Sequence, residues 1–260
     1  MKLSVLTLFP EIFAGYFSSS IMAKAVERGL VQSNLVNIRD YAVDKHKTCD
    51  DAPYGGGAGM LMLPGPLSRA LETAGAAKKA AGGGQAADEK KARVVYLTPS
   101  GRPFVQSYAA ELACEPELIL LCGRYEGIDQ RIIDLYVDDE ISVGDYILSS
   151  GEVAALAVID AVYRLLDEVI SPESLHQESF TGGLLEYPQW TRPEIYDSIA
   201  IPEVLLSGHH ENIRKWRLQK SVEKTCTIRP DLIEKGLQNG IFDAETIDLI
   251  TLFLSRNRSG

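Results

Sequence analysis

Over the first two-thirds of the chain, short apolar runs alternate with stretches of helical patterning. The runs Leu3–Phe9, Leu35–Ile38, Val94–Leu97, Leu118–Cys122 and Val137–Val143 predict strands, and the stretches near 11–29, 65–77, 105–114 and 127–135 predict helices. Strands separated by helices imply a largely parallel α/β sheet. Residues Val153 to Leu166 are apolar on nearly every side apart from Asp160 and Arg164. A helix of that kind is expected to be buried all round, in the core or against a second subunit.

The pattern changes after Leu166. Asp167 through Gly183 is polar, contains Pro172 and Gly182-Gly183, lacks periodicity and predicts a linker. Beyond it, Glu203–Gly208, Ile213–Lys224, Pro230–Gly236 and Ala244–Leu254 predict short helices, hence a small helical domain. Within the first part, Ala74–Ala92 is rich in alanine, lysine and glycine, and Gly82-Gly83-Gly84 interrupts any helix. It is expected to be a mobile surface loop without chemistry.

The composition, 45% hydrophobic and 24% charged over 260 residues, is that of a soluble globular chain with one large or two modest domains. No segment reaches the roughly 18 apolar residues of a membrane span. The run ending at Phe9 is too short for a signal-peptide core, and Pro10 ends it without a cleavage site. A cytoplasmic protein is therefore expected. Cys49, Cys114, Cys122 and Cys226 are scattered and form no Cys-x-x-Cys pair, so neither a zinc site nor a disulfide framework is expected. The net charge of −10 by itself argues against a nucleic-acid partner. Its distribution argues otherwise: between Gly208 and Arg229 stand six basic residues against two acidic ones.

Five groups of residues bear on chemistry. Leu121-Cys-Gly-Arg-Tyr-Glu-Gly-Ile-Asp129 and Ser142-Val-Gly-Asp-Tyr-Ile-Leu-Ser-Ser-Gly-Glu152 each leave an apolar, strand-like run and turn through glycines. Such turns let a ligand approach the main chain and predict a pocket for a small polar molecule. Asp50 to Met60 carries Gly55, Gly56, Gly57 and Gly59, yet matches neither a phosphate loop nor a dinucleotide fingerprint. It is either a flexible loop or one that admits nucleic-acid backbone or closes over a substrate. Asp44, His46, Asp50 and Asp51 read as a solvated polar loop rather than a metal cluster. Asp160 and Arg164, four apart, are either an intrahelical pair or a site holding a functional arginine. Last, Trp190-Thr-Arg192-Pro and His209 to Arg217 combine aromatics with basic residues, a pairing suited to unstacked RNA bases as well as to a solvated helix face.

The motifs Ser4-Val-Leu-Thr-Leu-Phe-Pro10, Pro53-Tyr-Gly-Gly-Gly-Ala-Gly-Met-Leu-Met62, Tyr96-Leu-Thr-Pro99, the two glycine turns, and Val204-Leu-Leu-Ser-Gly-His-His210 occur in that order. Together they make the chain resemble the bacterial tRNA (guanine-N1)-methyltransferases of the TrmD type over nearly its whole length. The resemblance implies a SPOUT-class fold: an α/β domain with a parallel sheet and a deep trefoil knot, followed by a small all-helical domain. It divides the chain into a methyltransferase domain at 1–167, a flexible linker at 168–183 and a helical tRNA-binding domain at 184–260, in an obligate homodimer.

By the same resemblance, S-adenosyl-L-methionine is held by Tyr96, Leu97, Thr98, Pro99, Gly123, Tyr125, Glu126, Gly127, Val143, Gly144, Asp145, Tyr146, Ile147 and Leu148. The acceptor is N1 of guanosine 37 of tRNA, preceded by a guanosine at position 36. Arg164 aligns with the family's active-site arginine, and Arg192, His209, Arg214, Lys215, Arg217 and Lys220 are the implied tRNA contacts. The family pattern has an aspartate before Ser-Phe where this chain reads His176-Gln-Glu-Ser-Phe180, so Glu178 takes the place of the general base. Ser150 and Ala154 stand where glycine and proline are usual. Magnesium dependence belongs to the family, while no ligand cluster here predicts a bound metal. A noncatalytic RNA-binding homologue and a methyltransferase acting on another RNA are the alternatives.

Overall fold

The computed structural model describes residues 1–79, 92–171, 174–175 and 178–257. The chain divides into two compact units, Met1–Ile170 and Ser171–Gly260. In the first, five strands form one sheet: β1 (Lys2–Thr7), β2 (Gln32–Asn37), β5 (Arg93–Pro103), β6 (Glu117–Cys122) and β7 (Asp139–Ser142). Their spatial order is β2-β1-β6-β5-β7, and every pairing is parallel. The expected parallel α/β sheet is therefore present.

Alternation along the strands explains why they read as unbroken apolar runs. On β6, Leu118, Leu120 and Cys122 enter one core with Val95 and Leu97, while Ile119 and Leu121 enter the other with Val94 and Tyr96. Helices α1 (Glu11–Phe17), α2 (Ser20–Glu27), α4 (Gln106–Ala113) and α6 (Gly151–Tyr163) supply residues to the first core, and α3 (Pro64–Ala74) and α5 (Gln130–Tyr136) to the second. A sheet covered on both faces has no polar face to write into its sequence.

Several element boundaries differ from the sequence reading for local reasons. The helix expected over 11–29 is two, because the Ser18 and Ser19 hydroxyls donate to the carbonyls of Ala14 and Gly15 and end the first. β5 runs on to Pro103 because Thr98–Gly101 bulges out, Leu97 and Arg102 both pairing with Ile141. α5 starts at Gln130 rather than 127, since Ile128 bridges to Met62 and the Asp129 side chain caps the helix by accepting from Arg131 N. The two-residue strands β3 (Asp50–Asp51) and β4 (Leu61–Met62) are too short to leave a period. Residues 80–91, most of the alanine-rich segment, lie outside the described residues.

α6 is not buried all round within one chain. Ala155, Val158, Ile159 and Val162 face the core, whereas Val153 is 54% exposed and Ala157 and Asp160 share its outer stripe. Asp160 accepts a 2.6 Å hydrogen bond from the Tyr16 hydroxyl.

The second unit has its own small core of Val222, Ile233, Phe242 and Ile250. It is made by α7 (His210–Ile228), α8 (Pro230–Gln238) and α9 (Ala244–Asn257), with a short antiparallel ribbon of β8 (Ile195–Tyr196) and β9 (Ile199–Ala200) that the helical reading omitted. Glu203–Leu205 is a single 3₁₀ turn. Buried Thr225 donates to the Ser221 carbonyl and accepts from Leu185 N, which pins the segment before the ribbon to α7.

Arg93 opens β5 and gathers three carboxylates: Asp139 at 2.6 Å, Glu111 at 2.7 Å and Glu115 at 3.2 Å. Burial is the largest single influence on the Asp139 pKa and raises it, but hydrogen bonding and charge from Arg93, with smaller contributions from Tyr108 and Arg102, together outweigh burial and the net pKa is lowered. A depressed carboxylate stabilises the fold above its unfolded pKa of about 3.9, and that stabilisation is lost as pH falls through the native value. Arg93→Met is expected to destabilise by about 2 kcal/mol at neutral pH. Thermal unfolding should further show the variant losing less Tm than the wild type on acidification from about pH 5 to about pH 3.

Candidate active site

Three neighbouring strands, β6, β5 and β7, end on the same side of the sheet, and the chain leaves each through a loop. The carboxyl ends of parallel strands are where open α/β sheets bind ligands, since the loops there diverge and leave a crevice. Here they enclose a cleft of about 240 Å³, lined by Tyr96–Pro99, Gly123–Gly127, Ile141–Gly144 and Tyr146–Gly151 with Ala154. Thirteen of the fourteen residues expected around a donor line it; Asp145 does not. Thr98 and Pro99 enter through the β5 bulge. Arg124, Ser142, Ser149, Ser150 and Gly151 line it as well, outside the expected set.

The cleft is shaped by close backbone contact. Gly151 N donates to Gly123 O at 2.9 Å, and a Cβ at 151 would lie 2.8 Å from Gly123 N and 2.9 Å from the Cys122 Cα. No side chain fits there without displacing backbone. A second contact involves the glycine-rich loop. β3 and β4 pair Asp50 with Met62 and Asp51 with Leu61, so the intervening residues form a hairpin tip with Tyr54 wholly exposed. Its base is clamped to the 124–128 turn: Glu126 N donates to Met60 O and Met62 N to Gly127 O, each at 3.0 Å. Gly59, at φ +88°, leaves room for the Glu126 carboxylate, which a Cβ would meet at 2.4 Å. The hairpin thus backs the turn that lines the cleft.

One buried charge lies under this arrangement. Glu152, in the first turn of α6, is fully buried, and its Oε1 accepts from the Thr7 hydroxyl at 2.6 Å. The same hydroxyl oxygen accepts from Phe9 N. Glu152 Oε2 lies 3.4 Å from Arg124 Nε, and the Arg124 guanidinium sits 4.3 Å above the Phe9 ring. Beside them the Cys122 thiol is pushed well up in pKa, by burial first and then by the Glu152 charge, so it stays a protonated, inert thiol. Arg124 and Glu152 stand inside the two glycine motifs, and a carboxylate starting an apolar helix was a signal. Nothing in the sequence singles out Thr7.

The other expected site residues are distributed over both units. In the first, Arg164 is the half-buried C-cap of α6. In the second, Glu178 lines a cavity of about 700 Å³ with Gly182, Leu184–Tyr187, His210, Ile213, Arg214, Arg217, Leu218 and Ser221. The Arg217 guanidinium stacks 4.7 Å over the Tyr187 ring. Three expected RNA contacts are committed to acids: Arg214 to Glu211 and Glu245, Lys215 to Glu211, and Lys220 to Glu223. Arg192 and His209 are exposed. Trp190 and Trp216 line a smaller hollow with Tyr187 and Arg217. Among the described residues no group of three or more His, Cys, Asp and Glu side chains is arranged to hold a metal ion, and no helix is long and apolar enough to cross a membrane.

Comparison with known proteins identifies this arrangement. Residues 1–235 match the model of a family described as tRNA (guanine-1)-methyltransferase TrmD. Proteins named tRNA (guanine-N(1)-)-methyltransferase are similar over nearly full length. That of Treponema denticola is 60% identical over 97% of this chain and 99% of its own. That of Treponema pallidum is 54% identical over 96% and 95%, and that of Borreliella burgdorferi 55% identical over 92% and 95%. The chain belongs to the tRNA (guanine-1)-methyltransferase TrmD family.

Proposed function

We propose that the protein transfers a methyl group from S-adenosyl-L-methionine to N1 of the guanosine at position 37 of tRNA. The observation that carries this reading is the cleft at the ends of β5, β6 and β7, built by the chain's own family motifs. Its walls fit the donor chemically. Main-chain groups of the Gly123–Gly127 and Val143–Leu148 turns suit an adenosine, and Glu126 supplies a negative charge for a cationic ligand. When bound, the donor supplies an electrophilic methyl on a positively charged sulfur.

Guanine N1 carries a proton and is a poor nucleophile until it is removed. Glu178 takes that proton as general base, and Arg164 stabilises the negative charge that develops on the purine O6. The new bond is N1–methyl, and the bond broken is sulfur–methyl. Arg192, His209, Arg214, Lys215, Arg217 and Lys220 bind tRNA. Arg214, Lys215 and Lys220 each give up an intramolecular carboxylate to take a phosphate, and the phosphate contacts make the affinity salt-dependent. No described cluster of acidic side chains fits a magnesium ion, and no step is assigned to one.

The same reading extends to architecture. Residues 1–167 form a trefoil-knotted SPOUT domain, 168–183 is a linker, and 184–260 is the tRNA-binding domain. A second copy covers the outer stripe of α6 around Val153, forming a homodimer. The protein works in the cytoplasm, where its tRNA substrate is found.

The function is tested with methyl-labelled donor and two tRNA transcripts, one with guanosine at 36 and 37 and one with adenosine at 37. Label should enter the first alone. Incorporation into neither, with donor still bound, contradicts the proposed reaction. For the base, Glu178→Gln is expected to lower kcat by about 10²–10⁴ while donor affinity stays within about twofold. Near-normal turnover of that variant would remove Glu178 from the role.

A further inference from the structure

The Glu152 carboxylate is not explained by stability. A buried ion pair is seldom more stabilising than apolar groups of the same volume, and this one is poorly satisfied. Neither Glu152 Oε2 nor Arg124 Nε has a hydrogen-bond partner, although both are buried and 3.4 Å apart. The pair is held by charge and not by directed hydrogen bonding. Only the other oxygen is firmly fixed, by Thr7 at the end of β1.

The position of Arg124 gives the pair a task. Its side chain is one-quarter exposed, it lines the cleft, and its carbonyl accepts from Gly127 N, closing the turn that contains Glu126. A guanidinium in the wall of a cleft for a sulfonium donor puts two positive charges near each other. At the reduced dielectric of such a site, like charges several ångströms apart repel appreciably. Glu152, itself fully buried, is the counter-charge to Arg124, and the Phe9 ring packs 4.3 Å from the guanidinium carbon.

We infer that Glu152 is a positioning residue of the donor site: it neutralises and orients Arg124, so that the cleft accepts a cationic donor in preference to its neutral thioether product. This rests on the donor reading of the cleft. The sulfonium loses its charge when the methyl leaves, so a cleft tuned in this way discriminates donor from product electrostatically. The Thr7 hydroxyl keeps the carboxylate in register with β1, and the Gly151–Gly123 contact keeps α6 against the turn.

The test is calorimetric titration of the full-length protein with S-adenosyl-L-methionine and, separately, with S-adenosyl-L-homocysteine. Glu152→Gln keeps the shape and an acceptor for Thr7 but removes the charge. It is expected to weaken the methionine form about tenfold and the homocysteine form by about twofold or less. Equal weakening of both ligands, or of neither, overturns the inference and leaves Glu152 a structural residue. Arg124→Met, on a partly exposed side chain, is informative even where the glutamine variant fails to fold. With Arg124 gone and Glu152 still charged, preference for the sulfonium ligand over the thioether should rise above wild type. An unchanged preference overturns the inference. Failure of the wild type to bind either ligand overturns the donor reading with it, whereas wild-type binding with unaltered preference in both variants overturns this inference alone.

Discussion

The candidate site depends on a backbone-to-backbone contact. Gly151 N reaches Gly123 O at a distance that leaves no room for a side chain. That contact brings the start of α6, which follows β7, against the end of β6, with β5 lying between the two strands in the sheet. Once it is made, the three loops of the cleft have fixed ends, and Glu152 is carried into the interior beside Thr7 and Arg124. The fold solves a geometric problem first, and the charges follow from where the backbone has placed them.

A second constraint is the hairpin at 50–62. It adds two short strands to no sheet of consequence, yet its base hydrogen-bonds the 124–128 turn from behind. Tyr125, a non-glycine residue at φ +56°, is tolerated in that turn because backbone contacts on both sides over-determine it. Gly59 of the hairpin therefore serves the same cleft as the glycines of the two turns, by leaving room for the Glu126 side chain.

Much of this was legible in the sequence, and the parts that were not have physical reasons. The five strands were readable because burial on both sheet faces leaves continuous apolar runs such as Leu118–Cys122. The cleft residues were readable from glycine placement together with family resemblance, Asp145 being the exception. The bulge at Thr98–Gly101 was invisible, since it arises from register with β7. Strands of two residues carry no period. The exposed stripe of α6 looked buried, because composition records that Val153 is apolar and not whether its own chain covers it. Thr7 gave no signal, as a threonine inside a strand is ordinary until its partner across the fold is known. The bridge from Arg214 to Glu245, 31 residues on, likewise depends on a neighbour that only folding supplies, whereas the pairs of Glu211 with Arg214 and Lys215 and of Lys220 with Glu223 follow from helical spacing alone.

The central claim is that the Gly123–Gly151 approach builds the cleft proposed to take the donor. It is tested most directly by measuring S-adenosyl-L-methionine affinity of Gly151→Ala by calorimetry, with circular dichroism as the control for folding. The added methyl must push apart two backbone segments, at a cost of about 1–3 kcal/mol, so affinity should fall by about fivefold or more while helix and strand content are retained. Wild-type affinity in a folded Gly151→Ala protein would contradict the account.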